Sequence, residues 1–279
     1  MRLRGVRRSR NVEDRRRVKG KTGAQLGGVG LLIVLAIGYF AGIDVTPLLD
    51  GQAAGGQKTE PRALSAEEER AAEFSSKVLA TTEEVWGEIF PRVFDRDYTP
   101  PILVLYSGVT QSRCGGASGA TGPFYCPADK KAYLDTEFFA TMSEKLGAKG
   151  DFAAAYVIAH EVAHHVQNEL GILPKVNAAR QQASQIEANA LTVKLELQAD
   201  CLSGVWARAV GGMLEPGDID EALHAARQIG DDTLQRRAGR VPQPHTFTHG
   251  TSAQRQKWFA TGYETGDPNA CDTFNARNL

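Results

Sequence analysis

Two histidines and a glutamate near the middle of the chain have the spacing of a metal site. The sequence reads H-E-V-A-H from His160 to His164 and follows a largely apolar run over residues 153–159, which predicts a buried helix. A spacing of four residues places both imidazoles on one helix face, one turn apart, where they can bind a single ion. Glu161 lies beside that face, where its carboxylate can take a proton from a metal-bound water. The motif therefore indicates metal-assisted hydrolysis.

A third ligand is expected from a second helix, because catalytic zinc sites usually have three protein ligands and one open position. Glu196 begins a segment that reads E-L-Q-A-D, and we predict that its carboxylate is this ligand. Asp200 lies one turn further along, where it can accept the second ring N–H of a ligating histidine, in our interpretation His160. A solvated helix face is the alternative explanation, but apolar residues flank the pair. We therefore expect one Zn²⁺ ion held by His160, His164 and Glu196.

The order of these motifs resembles that of the gluzincins, the thermolysin-like branch of zinc peptidases. More closely, the chain is similar to the bacterial family of neutral zinc metallopeptidases. The resemblance implies a zincin-type fold and zinc-dependent hydrolysis of peptide bonds, with Glu161 as general base on a zinc-bound water. It covers most of the chain from residue 70 onward, and the matching segments are 114–115, 122–127, 133–135, 160–167, 196–207 and 249–267.

The resemblance also implies where a peptide substrate binds. In zincins an edge strand beside the active-site helix pairs with the extended substrate. The run Lys131–Asp135, which includes Tyr133 and Leu134, is the predicted substrate strand.

Hydrolysis of an amide also needs a donor for the oxyanion of the tetrahedral intermediate, besides the metal. His249, His245, Tyr156 and Arg255 are the candidates. We favour His249, because it lies in a glycine-containing loop just before a predicted helix. A role in packing or capping is the alternative for this histidine.

The surrounding sequence predicts a helix-rich α+β domain with a small sheet over residues 65–279. Apolar runs of five residues predict buried strands, and Ser-x-x-Glu or Thr-x-x-Gln capping boxes mark helix starts. The predicted strands are Ile102–Tyr106 and Lys131–Asp135, and the predicted helices include 66–90, 151–170, a stretch from Pro174 to Val210 broken once, and one beginning near Thr251.

The N-terminal part has a different composition. Residues 1–21 carry ten of the 32 Lys and Arg residues of the chain but only two of its 33 Asp and Glu residues, so the remainder is acidic. Residues 22–43 carry no charge and are long enough to cross a bilayer as a helix. We predict a basic cytoplasmic tail, one transmembrane anchor and a flexible linker over residues 44–64. A cleaved signal peptide and a buried core helix are the alternatives, and no nucleic-acid partner is expected.

The four cysteines agree with a domain outside the cytoplasm, because all of them follow the predicted anchor. Three pairings are possible, and the sequence alone does not choose among them. We favour Cys114–Cys126, which would close a segment rich in Gly and Ser. That choice leaves Cys201–Cys271, which would tie the C-terminal tail to the helix of Glu196.

Two functional classes are consistent with these features. The first is a membrane-anchored, extracytoplasmic zinc metallopeptidase with a protein or peptide substrate. The second is a zinc-stabilised, non-catalytic binding or scaffold protein of the cell envelope. Glu161 favours the enzyme, because a structural zinc site needs no general base and is usually closed by four protein ligands. An intramembrane protease is excluded, since His160 lies far along the chain from the apolar segment 22–43.

Overall fold

The computed structural model describes residues 1–17, 63–118, 122–138 and 150–279, in which helices predominate and a small sheet is present. The predicted helix-rich α+β class is confirmed. The helices are α1 (Ala66–Ile89), α2 (Asp151–Glu169), α3 (Ile172–Gln182), α4 (Gln185–Ala209), α5 (Asp218–Gln228), α6 (Asp231–Arg237) and α7 (Ser252–Thr265). The strands are β1 (Val12–Asp14), β2 (Ile102–Tyr106), β3 (Val109–Ser112), β4 (Gly115–Ser118), β5 (Phe124–Cys126) and β6 (Lys131–Asp135).

A capping box divides the long helical stretch predicted after Pro174. Ala183 and Ser184 have extended backbone, which ends α3 and allows α4 to begin. The Ser184 side chain accepts from the Glu187 N–H, and the Glu187 carboxylate accepts from the Ser184 N–H. Because α4 starts afresh at this point, its direction is independent of α3 and it can lie alongside α2.

The sheet has the strand order β1-β2-β6-β5, in which β1, β2 and β6 are parallel and β5 is antiparallel to β6. Alternate residues of β2 enter two different apolar clusters. Leu103 and Leu105 pack against the helices, whereas Val104 and Tyr106 pack on the opposite face, with Ala117 of the β3–β4 hairpin. Both faces of the sheet are therefore covered, which explains why the central strands are apolar at nearly every position.

The prediction that Lys131–Asp135 is an edge strand is wrong. This segment is β6, which pairs with β2 on one side and with β5 on the other. Tyr133 and Leu134 are both buried, and Phe124 of β5 lies opposite Tyr133. The chain reverses between β5 and β6 with Lys130 at a φ of 55°, so the preceding three-residue segment folds back on β6 and becomes the edge itself.

Helices α4 and α7 are in close contact because two glycines face the opposing backbone. A Cβ atom at Gly262 would lie 1.8 Å from the Cys201 carbonyl oxygen, and one at Gly204 would lie 2.1 Å from that of Phe259. Neither position can hold a side chain at this separation. The close approach brings the beginning of α7 to the part of α4 that carries the candidate site.

Residues 1–17 pack on the domain, in contrast to the separate tail predicted for residues 1–21. Strand β1 pairs in parallel with β2, with Val12 opposite Leu103. Asn11 donates to the buried Glu83 carboxylate of α1 at 2.7 Å. Arg16 is only 4% exposed, and its guanidinium donates to the Glu68 carbonyl oxygen at 2.6 Å. The domain therefore includes this N-terminal segment in addition to residues 65–279.

The predicted membrane anchor, residues 22–43, lies outside the described residues. Residues 44–62 of the predicted linker also lie outside them. Within the part of the chain that the structure describes, no helix has both the length and the apolar character needed to cross a bilayer. The pairing of β1 with β2 places residues 12–14 in the sheet of the domain.

Both favoured disulfides are present. Cys114–Cys126 joins the turn of the β3–β4 hairpin to edge strand β5. Cys201–Cys271 joins α4 to the 3-10 turn Pro268–Cys271 near the C-terminus. The second bond thus ties the C-terminal segment to the helix that carries Glu196.

Candidate metal centre

Two helices bring the three predicted metal ligands together. His160 and His164 lie one turn apart on α2, and Glu196 projects from α4 between them. His160 Nε2 is 3.1 Å from Glu196 Oε2, and His164 Nε2 is 3.4 Å from Glu196 Oε1. Zinc bonded at ~2.0–2.2 Å to tetrahedral ligands separates the ligand atoms by about 3.4 Å. The donor set and its spacing therefore fit a zinc ion bound by two imidazoles and one carboxylate.

The ligands are held in place by the packing of α2, which is buried along almost its whole length. Alanines at 153, 154, 155, 159 and 163 give α2 a small cross-section and permit close approach of its neighbours. The ligand side chains are only slightly accessible, at 8% for His160, 11% for His164 and 14% for Glu196. They therefore face a site that is largely shielded from water and open on one side.

His160 lies against Asp200, the carboxylate predicted from the sequence to orient it. Its Nδ1 lies 2.9 Å from Asp200 Oδ1. Asp200 is fully buried, and Arg255 of α7 donates to both of its oxygens while the Tyr156 hydroxyl donates to Oδ1 at 2.5 Å. Burial alone would raise the pKa of Asp200, but Arg255 and His160 outweigh it and lower that pKa. The carboxylate of Asp200 therefore stays ionised. Because it lies against Nδ1 of His160, the other ring nitrogen, Nε2, is available to a metal ion.

The charges around His160 also determine its affinity for protons. Burial opposes protonation, but Asp200 and Glu196 outweigh that effect and raise the pKa of His160 to about 10 when no metal is bound. Burial opposes ionisation of Glu196, and the two histidines lower the pKa of this carboxyl well below its usual range. Without metal, Glu196 is thus a carboxylate beside a protonated His160, and zinc must displace that proton.

Glutamine, not a carboxylate, orients His164. His164 Nδ1 donates to Gln167 Oε1 at 2.9 Å, and Gln167 is fully buried one turn further along α2. The sequence prediction did not include this residue. Its signal was the i, i+3 spacing from His164 on the same helix face, which favours contact between the two side chains.

Glu161 borders the cleft together with both histidines of the motif, although its own side chain is no metal ligand in this arrangement. Burial raises the pKa of Glu161, and the neighbouring His164 and His160 oppose that rise. A carboxylate with a raised pKa accepts a proton more readily near neutral pH. Its position and its pKa both fit a group that exchanges a proton with substrate.

His249 reaches the same cleft from the loop before α7 and is 48% exposed. Asp231, at the start of α6, holds this loop. Its Oδ2 accepts the backbone N–H groups of Thr248, His249 and Gly250, and its Oδ1 lies 3.4 Å from His249 Nδ1. Burial opposes protonation of His249, and Asp231 outweighs it to raise the pKa. Asp231 was missed by the sequence prediction, because its partner loop lies on a different element.

The other candidate donors have different surroundings. Tyr156 and Arg255 both donate hydrogen bonds to Asp200. His245 is not part of the cleft lining, and its carbonyl oxygen accepts from Asn189. His165 is fully buried, where its Nε2 donates to the Thr99 carbonyl oxygen at 2.6 Å and its Nδ1 pairs with the Tyr125 hydroxyl at 3.0 Å. His165 therefore holds edge strand β5 against α2.

The candidate metal ligands line a cleft of about 480 Å³. One wall is formed by β5 and its flanking prolines, and another by the face of α3 that carries Leu173, Asn177 and Arg180. The floor contains the ligands and Glu161. Such a cleft is large enough for several residues of an extended peptide.

The helix that carries the H-E-x-x-H motif, the carboxylate from a second helix and the open cleft define a metal-dependent hydrolase site. The chain belongs to the family described as "Putative neutral zinc metallopeptidase", whose model matches residues 1–274. It is 49% identical over 289 aligned positions to the uncharacterized protein YpfJ of Escherichia coli strain K12, covering 98% of this chain and 99% of that protein. It is 46% identical over 219 positions to the uncharacterized protein Rv2575 of Mycobacterium tuberculosis strain H37Rv, covering 73% and 71%. No solved structure matches the chain.

Proposed function

We propose that the protein is a zinc-dependent peptidase in which Glu161 is the general base. The observation that carries this proposal is the position of Glu161 on the cleft, beside a set of three ligands that leaves the metal a further coordination position. The family places the protein among zinc metallopeptidases, and the roles below extend that assignment to single residues.

The proposed reaction divides the chemistry between the metal and the chain. Zinc held by His160, His164 and Glu196 would supply Lewis acidity, which lowers the pKa of water and polarises a carbonyl group. Glu161 takes the proton of the attacking water and passes it to the leaving amine.

His249 is the proposed donor to the oxyanion. Asp231 engages Nδ1 of His249 and fixes the backbone of its loop, so Nε2 is the ring nitrogen available to a substrate oxygen. Asp231 raises the pKa of His249 against the effect of burial, which favours the protonated ring, and a protonated ring donates more strongly to a developing negative charge.

Edge strand β5 replaces β6 as the proposed partner of the substrate backbone. Phe124 and Tyr125 of β5 line the cleft, whereas β6 is covered on both edges. An extended peptide added to the outer edge of β5 would lie along the cleft with its scissile bond near the ligands. The anchoring of Tyr125 by His165 keeps this edge at a constant distance from α2.

Two observations support a location outside the cytoplasm. Both disulfides lie in the described domain, and such bonds persist in oxidising compartments. The uncharged segment 22–43 supports attachment to the membrane. Since β1 belongs to the domain sheet, we propose that residues 1–17 lie on the same side of the membrane as the domain, and that this attachment does not involve a single crossing of the bilayer.

The test uses the full chain in detergent, because truncation before residue 65 would remove β1. The wild type and a Glu161→Gln variant are loaded with zinc and incubated with a diverse peptide mixture, and new termini are identified by mass spectrometry. We expect cleavage by the wild type only, and its loss with a chelator. If both proteins bind one zinc ion and neither cleaves any peptide, the non-catalytic scaffold function replaces the peptidase.

A further inference from the structure

A chain of buried amide groups leads from His164 to the C-terminal segment. Gln167 Nε2 donates to the Leu195 carbonyl oxygen at 2.7 Å and to Gln198 Oε1 at 3.1 Å. Gln198 Nε2 in turn donates to the Cys271 carbonyl oxygen at 3.0 Å. Gln167 is fully buried and Gln198 is 7% exposed, so water does not compete for these bonds.

The two backbone carbonyls determine the orientation of every group in this chain. A carbonyl oxygen only accepts, so Leu195 and Cys271 each require an amide NH₂ group to face them. Gln198 must then present its oxygen to Gln167, and Gln167 must present its oxygen to His164. His164 can only donate from Nδ1, which leaves the lone pair of Nε2 for the metal.

The far end of the chain is held by covalent and polar ties to α4. Cys271 forms the disulfide with Cys201. Thr273 Oγ1 donates to the Lys194 carbonyl oxygen at 2.6 Å, and Lys194 Nζ donates to the Phe274 carbonyl oxygen at 3.1 Å. These ties keep the Cys271 carbonyl oxygen beside Gln198, although the C-terminal segment is far along the chain from the metal ligands.

We propose that Gln167 is a positioning residue that fixes the metal-binding tautomer of His164, and that Gln198 and the Cys201–Cys271 disulfide hold Gln167 in the required orientation. The proposal rests on the metal site of the proposed function but not on peptidase activity. Zinc affinity is therefore its readout, and a failure to find a peptide substrate would leave the outcome unchanged.

The first experiment compares zinc affinities of full-chain variants by competition with a chromophoric chelator. Gln167→Met keeps the side-chain volume but removes the acceptor for His164, and we expect a loss of affinity of about 10–100-fold. Gln198→Met, which has no contact with a ligand, is expected to lower affinity by a smaller factor through the release of Gln167. Gln185→Met is the matched control. Gln185 is exposed on α4, the helix that also carries Gln198, and its side chain donates to Asn189 one turn away.

A second readout separates positioning from general stability. Cobalt in place of zinc reports ligand geometry through its visible absorption bands, and we expect these bands to change in Gln167→Met and Gln198→Met but not in Gln185→Met. Thermal unfolding of the metal-free proteins measures the structural contribution alone. Lower thermal stability with unchanged cobalt spectra and unchanged zinc affinity would overturn the proposal.

The disulfide provides a further arm with its own control. A Cys201→Ala/Cys271→Ala variant is expected to bind zinc more weakly, whereas Cys114→Ala/Cys126→Ala removes the other disulfide, which makes no contact with the amide chain, and is expected to retain affinity. Equal zinc affinities for the two folded variants would contradict the role of the Cys201–Cys271 bond. If a cysteine variant does not fold, the Gln198→Met result decides the question.

Discussion

Arg255 of α7 donates hydrogen bonds to both carboxylate oxygens of Asp200 on α4, with Nε 2.8 Å from Oδ2 and Nη2 2.9 Å from Oδ1. Both side chains are at least 98% buried, so this ion pair is closed to water. Since Asp200 also contacts His160, the pair connects the packing of α4 against α7 to the orientation of a candidate metal ligand.

Removal of Arg255 should therefore destabilise the fold as well as the site. Arg255→Met leaves the Asp200 charge buried without its main partner, and we expect the free energy of unfolding to fall by about 3–5 kcal/mol. Denaturant unfolding of the full chain measures this change. The control is Arg236→Met, which removes an exposed guanidinium paired with Asp232 and should alter stability by no more than about 0.5 kcal/mol. Similar losses in the two variants would disprove the special role of the buried pair.

Zinc affinity should rise with pH. Without metal, Asp200 and Glu196 overcome the effect of burial and raise the pKa of His160 to about 10, so the ring is protonated at neutral pH and zinc must displace that proton. Below this pKa, each unit of pH increase should strengthen apparent binding about tenfold for each proton released. Competition titrations between about pH 6 and pH 8, with calorimetry in buffers of different ionisation enthalpy, measure the slope and the proton release. An affinity independent of pH would show that the ligands are already deprotonated.

Loss of the His249 side chain should slow catalysis without loss of zinc. For His249→Ala we expect kcat to fall on the order of 10²-fold, because an oxyanion donor acts mainly in the transition state. KM and zinc content should change little. His245→Ala, in the same loop but outside the cleft lining, serves as the control and should retain wild-type kcat. A rise in KM with unchanged kcat would instead assign His249 to substrate binding.

Residues 1–17 should be accessible from the same side of the membrane as the domain. Arg10 and Gln185 are both exposed, one in the N-terminal segment and the other on α4. Single substitutions Arg10→Cys and Gln185→Cys can be labelled with a membrane-impermeant maleimide in spheroplasts and in inverted vesicles. We expect both positions to react in the same preparation. Labelling from opposite sides would show that β1 leaves the sheet when the protein is in the membrane.

Several features of the site could be predicted because they depend on short-range geometry. The four-residue spacing of His160 and His164 places them together on any helix, and Glu196 and Asp200 repeat that spacing. The capping box at Ser184 marks the start of α4 through bonds between residues three apart. These signals are contained within one or two helical turns, so they can be recognised in the sequence, and the structure brings the same side chains together.

Other features depend on which segments pack together. The three-residue strands β1 and β5 are too short to show a periodic pattern, yet they form the two edges of the sheet, and β5 makes β6 internal. Gln167 and Asp231 gain their roles only through contacts with α4 and with the loop before α7. By itself, the sequence determined which residues could form a metal site and which helices carry them. The tertiary structure decided which strand is exposed and which polar groups orient the ligands, because those outcomes depend on contacts between segments that are distant along the chain.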